Sequence, residues 1–570
     1  MTATESSRPA RAHRVDADHP HYRWVALSNT TLGMLLATIN SSIVLISLPA
    51  IFRGIHLDPL EPGNVSYLLW MIMGFLVVSA VLVVLLGRLG DIYGRVRMYN
   101  LGFLVFALSS VLLSVDPFDQ GAGAMWLIVL RVVQGVGGAM IFANSAAILT
   151  DAFPAHQRGM ALGINNVAAV AGSFLGLVIG GLVAEWDWRA VFWISVPIAI
   201  AGTVWGYRSL HELGSRRTSS MDWWGNLTFA VGLTALLVAI TYGIQPYGDH
   251  ATGWTNPWVV AGLVGGIGLL IAFVLVEQRV EDPMFSMHLF AIRPFAAGNL
   301  ASLLAATSRG GLQFMLIIWL QGIWLPLHGY DYESTPLWAG IYLLPLTVGF
   351  LVAGPVAGRL SDRYGARLFA TVGLVLVAGT FIGFLLIPVD FDYWVFALLL
   401  LVNGLASGLF AAPNATMIMN SVPADQRGAA SGMRGTFMNS GSALSIGLFF
   451  SLMVAGLASS LPGSLRSGLT AQGVPSDVAG QVADLPPVGS LFASFLGYNP
   501  IQTLLEPTGT LDSLSADHAT TLTGKTFFPQ LISGPFHDGL VVVFLAAAVM
   551  SLIAAAASAL GGAKYVHQED

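Results

Sequence analysis

Cysteine is absent from the 570 residues, and that single absence removes disulfides, thiolate metal sites and cysteine nucleophiles together. Charge is scarce as well. Asp, Glu, Lys and Arg make up 10% of the chain, against about a quarter of a soluble globular domain. Lysine is nearly missing, because almost every basic side chain is an arginine, a bias in keeping with a GC-rich bacterial genome. The chain also lacks an HExxH zinc motif, a GxSxG elbow and a Walker loop, so nothing in it points to an enzyme or to a bound nucleotide, metal or other cofactor. Gly135-Val136-Gly137-Gly138 has the look of a nucleotide loop, but it lies inside an apolar run with no strand before it.

What is present in quantity is apolar: 55% of the residues are hydrophobic and the mean hydropathy is +0.72. Runs of about 20 such residues cross a hydrocarbon core of roughly 30 Å. Fourteen can be placed, six in a first half, two between and six in a second half. The implied divisions are a polar tail 1–23, a six-helix bundle 24–208, two intervening helices with linkers 209–295, and a second six-helix bundle 296–570 that contains a long outside loop 457–538. With the N-terminus inside, 18 of the 25 Lys and Arg are cytoplasmic; Arg53, Arg189, Arg466 and Lys525 fall outside, and Arg131, Arg309 and Arg434 lie within spans. The positive-inside rule therefore predicts two cytoplasmic termini; the chain is expected in a bacterial plasma (inner) membrane, with no nucleic-acid partner.

The chain is duplicated. Gly87-Arg88-Leu89-Gly90-Asp91-Ile92-Tyr93-Gly94-Arg95-Val96-Arg97 returns as Gly358-Arg359-Leu360-Ser361-Asp362-Arg363-Tyr364-Gly365-Ala366-Arg367, and Pro154-Ala155-His156-Gln157-Arg158-Gly159 returns as Pro423-Ala424-Asp425-Gln426-Arg427-Gly428. The interval from Gly87 to Gly358 is almost the same as that from Pro154 to Pro423, a single long period that reads as a repeated membrane half. In each turn glycines permit close helix approach and tight reversal, an aspartate faces a helix end, and arginines lie at phosphate level. Gly87, Asp91, Gly94 and Arg95, with Gly358, Asp362, Gly365 and Arg367, are thus candidate gating elements.

Together with Leu130-Arg131-Val132-Val133-Gln134-Gly135-Val136-Gly137-Gly138-Ala139, Trp188-Arg189-x-x-Phe192 with Pro197, and Asp222-Trp223-Trp224-Gly225, these turns resemble the major facilitator superfamily, and within it the fourteen-helix drug/proton antiporter branch. The resemblance implies an all-α polytopic fold of two pseudo-symmetric six-helix bundles plus two intervening helices. It also implies a secondary active transporter that exports drug-like amphiphiles by alternating access.

Departures from that branch qualify the chemistry. Its first helix carries an acidic residue where this chain has Asn40, and its fifth helix a Gly-Pro pair where this chain has Gly172, Gly176, Gly180 and Gly181. Those glycines read as helix-packing positions. None of the 31 acidic residues falls near the middle of a span, and the 12 histidines lie in tails, loops or helix ends, so the usual intramembrane proton carriers are missing. Protons stay a possible coupled partner without an assigned carrier. Arg309 falls near mid-span and Arg131 within the fourth span, while Arg434 is placed nearer the headgroups. The predicted substrate cavity comprises Asn40, Arg131, Gln134 and Asn144 from one half and Arg309, Gln313, Asn403 and Asn414 from the other. It suits a small amphiphile, a drug or a neutral or anionic lipid, better than a dicationic dye.

Overall fold

The computed structural model describes residues 19–58, 61, 63–213, 222–248, 250, 252–280, 283, 285–423, 426–497 and 499–561. These residues form fourteen helices long and apolar enough to cross a membrane. They are α1 (Tyr22–Gly54), α2 (Asn64–Tyr93), α3 (Arg95–Ser114), α4 (Gln120–Ala152), α5 (Ala155–Trp186), α6 (Ala190–Ser209), α7 (Trp223–Gly243), α8 (Pro257–Glu277), α9 (Arg293–Leu327), α10 (Thr335–Ser361), α11 (Ala366–Leu386), α12 (Tyr393–Asn420), α13 (Arg427–Ala471) and α14 (Phe527–Leu560). A helix satisfies its own backbone groups, which hydrocarbon cannot do for it. Below, the face carrying the two repeated turns is the turn side, and the opposite face, where residues 472–526 lie, is the cap side.

The expected outside loop 457–538 is corrected at both ends. Helix α13 continues to Ala471 and α14 begins at Phe527. Leu457, Leu461, Leu465 and Leu469 recur every fourth residue and are fully buried, while Ser459, Pro462, Arg466 and Thr470 are exposed on the other face. An amphipathic stripe of this period extends a helix well past the end of its purely apolar run. Between the two helices, short segments fold into a cap. One of them, Pro487–Phe495, is buried at every residue.

Small residues set the spacing of α1 against α5. A methyl group at Gly176 would lie 2.5 Å from the Ile39 carbonyl oxygen, and one at Gly180 would lie 3.0 Å from that of Ile43. Gly172 likewise faces Leu35 and Thr38. The neighbouring Gly181 turns to the other half, where a methyl would meet the Leu337 Cα at 2.5 Å and the Pro336 oxygen at 2.6 Å. Close approach of this kind gains dispersion contact that lipid cannot match. Helices α7 and α8 cross through Gly232 and Gly266, and α7 lies on α2 and α13, with Thr241 Oγ1 3.1 Å from Met73 Sδ and Ile240 against Gly447. The extra pair thus flanks the seam between the halves rather than entering either bundle.

The halves meet along two seams, α5 with the start of α10 and α2 with α13. On the cap side one apolar core draws on both, joining Ile43, Phe174 and Leu177 to Ala339, Leu343 and Phe450. Gln321 Nε2 donates to the Ile46 oxygen at 3.2 Å, and Arg53 donates to Leu496 of the cap at 3.3 Å. On the turn side packing divides. Tyr99, Phe103, Phe106 and Ile141 form a cluster within the first half, and Ala301, Leu374 and Phe410 one within the second. The contacts named here between the halves thus gather on the cap side, and each half keeps an apolar cluster of its own on the turn side.

Both repeated turns reverse on a glycine at positive φ, +115° at Gly94 and +95° at Gly365. A methyl at Gly94 would also collide with the Glu212 carboxylate, whereas Gly365 has open space around it. Gly365→Ala is therefore expected to destabilise the chain by about 1 kcal/mol, and Gly94→Ala by somewhat more, because the Glu212 tip must swing aside and give up the Arg97 N–H it accepts. Thermal unfolding of the two variants compares them directly, and equal losses would show that the Glu212 contact contributes nothing.

Candidate functional site

In the first half the predicted polar residues form a closed network. Arg131 on α4 is 1% exposed. Its guanidinium donates to the Asn40 side-chain oxygen on α1 and to Gln134 Oε1 at 2.7 Å, and it stands 4.6 Å from the centre of the Phe75 ring on α2. Gln134 Nε2 then donates to Ser110 Oγ at 2.9 Å on α3, and Asn40 Nδ2 to Ser195 Oγ at 3.2 Å on α6. Five helices are tied to one cation. Every member is fully or almost fully buried, so the group acts as internal structure and not as the wall of an open cavity.

Asn144 does different work. It bonds its own helix, Nδ2 to the Met140 oxygen at 2.8 Å, and its side chain occupies the space left by the missing side chain of Gly90. Gly87 faces Ala143 in the same seam. Nearby, Arg95 bridges two carboxylates, Nε to Asp91 at 2.8 Å and Nη1 to Asp151 at 2.6 Å. The first turn is thereby locked to the end of α4. In the second turn, Gly358 has only Ala412 near it and Arg367 is exposed. The Asp362 side chain, with Ala424 and Asp425 of the second short repeat, lies outside the described residues.

The second half holds an open recess between α9, α11, α12 and α13. From α9 come Ser302, Ala305, Ala306, Arg309 and Leu312; from α11, Leu374, Val377 and Phe381; from α12, Asn403, Ser407, Phe410 and Ala411; and from α13, Arg434 and Met438. Its enclosed space is about 50 Å³, smaller than the roughly 300–1,000 Å³ of a small-molecule pocket and enough for a few water molecules or a small polar head. Of the predicted cavity residues, Arg309 and Asn403 line it. Asn414 stands one layer behind, donating to Ser302 Oγ at 2.8 Å and to the Gly298 oxygen at 3.1 Å. Gln313 is half-buried on α9 and is not part of this wall.

Arg434 is the residue that sequence reasoning left out of the cavity. It is 8% exposed and lines the recess with Arg309. Residue counting puts it only two turns into α13, which does not reveal that α9, α11 and α12 close around it.

The duplication explains the asymmetry of the two halves. The interval from Asn40 to Arg309 equals that from Pro154 to Pro423, and the interval from Arg131 to Asn403 is nearly the same. The Asn–Arg pair of the first half thus returns as an Arg–Asn pair, with the cation moved from the fourth helix of the unit to its first. In the first half two side-chain oxygens receive the guanidinium. In the second, Asn403 Nδ2 donates to Thr380 Oγ1 at 2.7 Å, so the asparagine is turned to its own neighbour. The recess lining includes no carboxylate and no histidine.

Comparison with known proteins agrees with this architecture. The model of the Major Facilitator Superfamily matches residues 30–222 and 215–446. The chain is 27% identical over 440 residues to a riboflavin transporter, RibZ, of Clostridioides difficile, covering 76% of this chain and 89% of that protein. It is 26% identical over 535 residues to a tetracenomycin C resistance and export protein of Streptomyces glaucescens, covering 94% and 90%. Among solved structures, a bacterial homolog of the human lysosomal transporter Spinster, in an inward-facing and unoccupied conformation, superposes with a TM-score of 0.55 at 16% identity over 94% of this chain and 98% of that one. That likeness concerns the fold. Two repeated six-helix halves, the paired turns and the matched family model together place this multi-pass membrane transporter in the Major Facilitator Superfamily.

Proposed function

We propose that the chain is an efflux permease that exports amphiphilic small molecules across a bacterial plasma membrane, rocking its two halves about a mid-depth site. One observation supports this reading: the contacts named between the halves gather on the cap side, while each half has an apolar cluster of its own on the turn side. Such an arrangement is one end state of alternating access. With the turn side cytoplasmic, as the arginine distribution requires, the recess would be loaded from within the cell. Relatives named for drug resistance and export support the direction.

Opening to the outside requires two contacts to break. One is the α5–α10 seam at Gly181 and Leu337. The other is the cap helix Pro487–Phe495, whose Phe492 stacks on Phe450 of α13 with ring centres 4.8 Å apart. The cap helix is fastened where α9 widens into a π-helical turn, Trp319–Trp324, with Ser494 Oγ donating to the Gly322 oxygen at 2.6 Å. π turns are frequent at functional sites, and this one joins α9 to the cap.

A second reading concerns energy coupling. With no carboxylate or histidine in the recess lining, export without a classical proton antiport step fits better than obligatory exchange for protons. Reconstitution into liposomes tests both readings, comparing a cationic dye with an anionic amphiphile, with and without an imposed pH gradient. Saturable, protein-dependent movement of the amphiphile that needs no gradient is the expected result. Gradient-driven dye movement would instead establish a proton-coupled drug antiporter, and no protein-dependent movement of either would defeat the transporter reading.

A further inference from the structure

We infer that the Arg309–Arg434 recess is a binding site for a single-chain amphiphile with an oxyanion head, such as a carboxylate or phosphate ester. The inference deepens the transporter reading and rests on it for the movement of the ligand, though binding itself is measured without transport.

The argument begins with what the two guanidiniums lack. Arg131 in the first half has two side-chain oxygens and an aromatic face. Arg309 and Arg434 share one recess, act on each other as like charges, and have no carboxylate or hydrogen-bond partner among the described residues. Arg434 is more than nine-tenths buried, and its Nε is enclosed without an acceptor. An enclosed donor on a charged group is costly to leave unpaired, and a second cation in the same recess raises the cost further. An oxyanion between them removes both penalties. Guanidinium forks match carboxylate and phosphate geometry, in which two parallel bonds form to one head.

The remaining wall selects the rest of the ligand. Leu374, Val377, Phe381, Phe410 and Met438 are apolar and continue from the arginines along α11 to α13. They offer a flexible and aromatic wall that must part to admit a hydrocarbon tail, while Ser407 lines the same recess as a polar group. A cation would meet two like charges, and a neutral alcohol would leave the arginines unanswered.

The test uses the full chain in an uncharged maltoside detergent, with dodecanoate as probe and dodecanol, dodecyltrimethylammonium and inorganic phosphate as comparisons. Affinity is read by calorimetric titration and by the ligand-induced rise in melting temperature. Dodecanoate is expected to bind at least about tenfold more tightly than either uncharged or cationic chain, and Arg309→Gln and Arg434→Gln each to weaken it by about tenfold or more. Arg434→Lys, which keeps the charge without the fork, should retain part of the affinity and serves if the Gln variant does not fold. Asp331→Asn, at the cap, should leave binding unchanged. Equal binding of dodecanol and dodecanoate, or unaltered dodecanoate affinity in both folded Gln variants, overturns the site. Phosphate competing as well as dodecanoate overturns the amphiphile assignment. Dodecanoate binding without transport in liposomes would defeat the exporter reading and leave the site standing, whereas undiminished dodecanoate transport in the doubly substituted chain would do the reverse.

Discussion

Arg131→Ala is expected to lower the stability of the folded chain by about 3 kcal/mol, the largest loss of any single substitution considered. Removing this guanidinium strips the donor from Asn40 and Gln134 in one step, and both are fully buried. It also removes the charge held against the Phe75 ring. The cost comes from what is left behind: two amide oxygens and a cavity at the crossing of α1, α2 and α4, where water has no ready access. Arg131→Lys should recover part of the loss, since one ammonium can reach one acceptor but does not present a planar fork. Size-exclusion profiles of detergent-solubilised protein after graded heating measure the shift. A melting temperature equal to that of the unsubstituted chain would mean that the network contributes nothing to stability.

Gly181→Leu is expected to abolish most transport while the chain still folds. A side chain there meets backbone, Leu337 Cα at 2.5 Å and the Pro336 oxygen at 2.6 Å, and backbone in a packed helix cannot rotate aside as a side-chain tip can. Overpacking of this kind costs about 2 to 3 kcal/mol, roughly a fiftyfold change in the population of the cap-closed state. Transport in liposomes should fall by about that factor if closure is a required step. Gly379→Leu provides the contrast, because nothing lies within 4 Å of the position its side chain would take. Equal losses from the two would show that the seam has no special place in the cycle.

Much of the fold was legible from sequence because the membrane imposes it. Long apolar runs, arginines gathered on one side and motifs that return at a nearly constant interval leave few alternatives to two halves of six spans. The limits appeared where depth and facing decide the outcome. Hydropathy marked α13 as ending near Gly456, but Leu457, Leu461, Leu465 and Leu469 carry it to Ala471 on one buried face. Arg131 and Arg309 read alike as cations within apolar runs. Their surroundings differ because Asn40 stands opposite one, while Asn403 is turned to Thr380 near the other. Arg434 was placed by distance from a helix start, yet its partner across the recess comes from α9, far earlier in the chain. Only a three-dimensional arrangement brings them together. One signal was available in the chain itself: aligning the halves sets Arg309 on Asn40, and so marks the cation that has no first-half counterpart.

The central claim is that the arrangement joined on the cap side is one of two states between which the protein cycles. The absence of cysteine allows engineered cysteines to carry spin labels without background. Tyr93 and Tyr364, at 61% and 60% exposed, mark the two repeated turns, and Trp186 and Glu333 mark the two sides of the cap-side seam. Double electron–electron resonance on each labelled pair, with and without dodecanoate in liposomes, reports both faces. The account predicts that a second population appears, in which the turn-side distance shortens as the cap-side distance lengthens. A single unchanged distance on both faces, in protein that still transports, would contradict it.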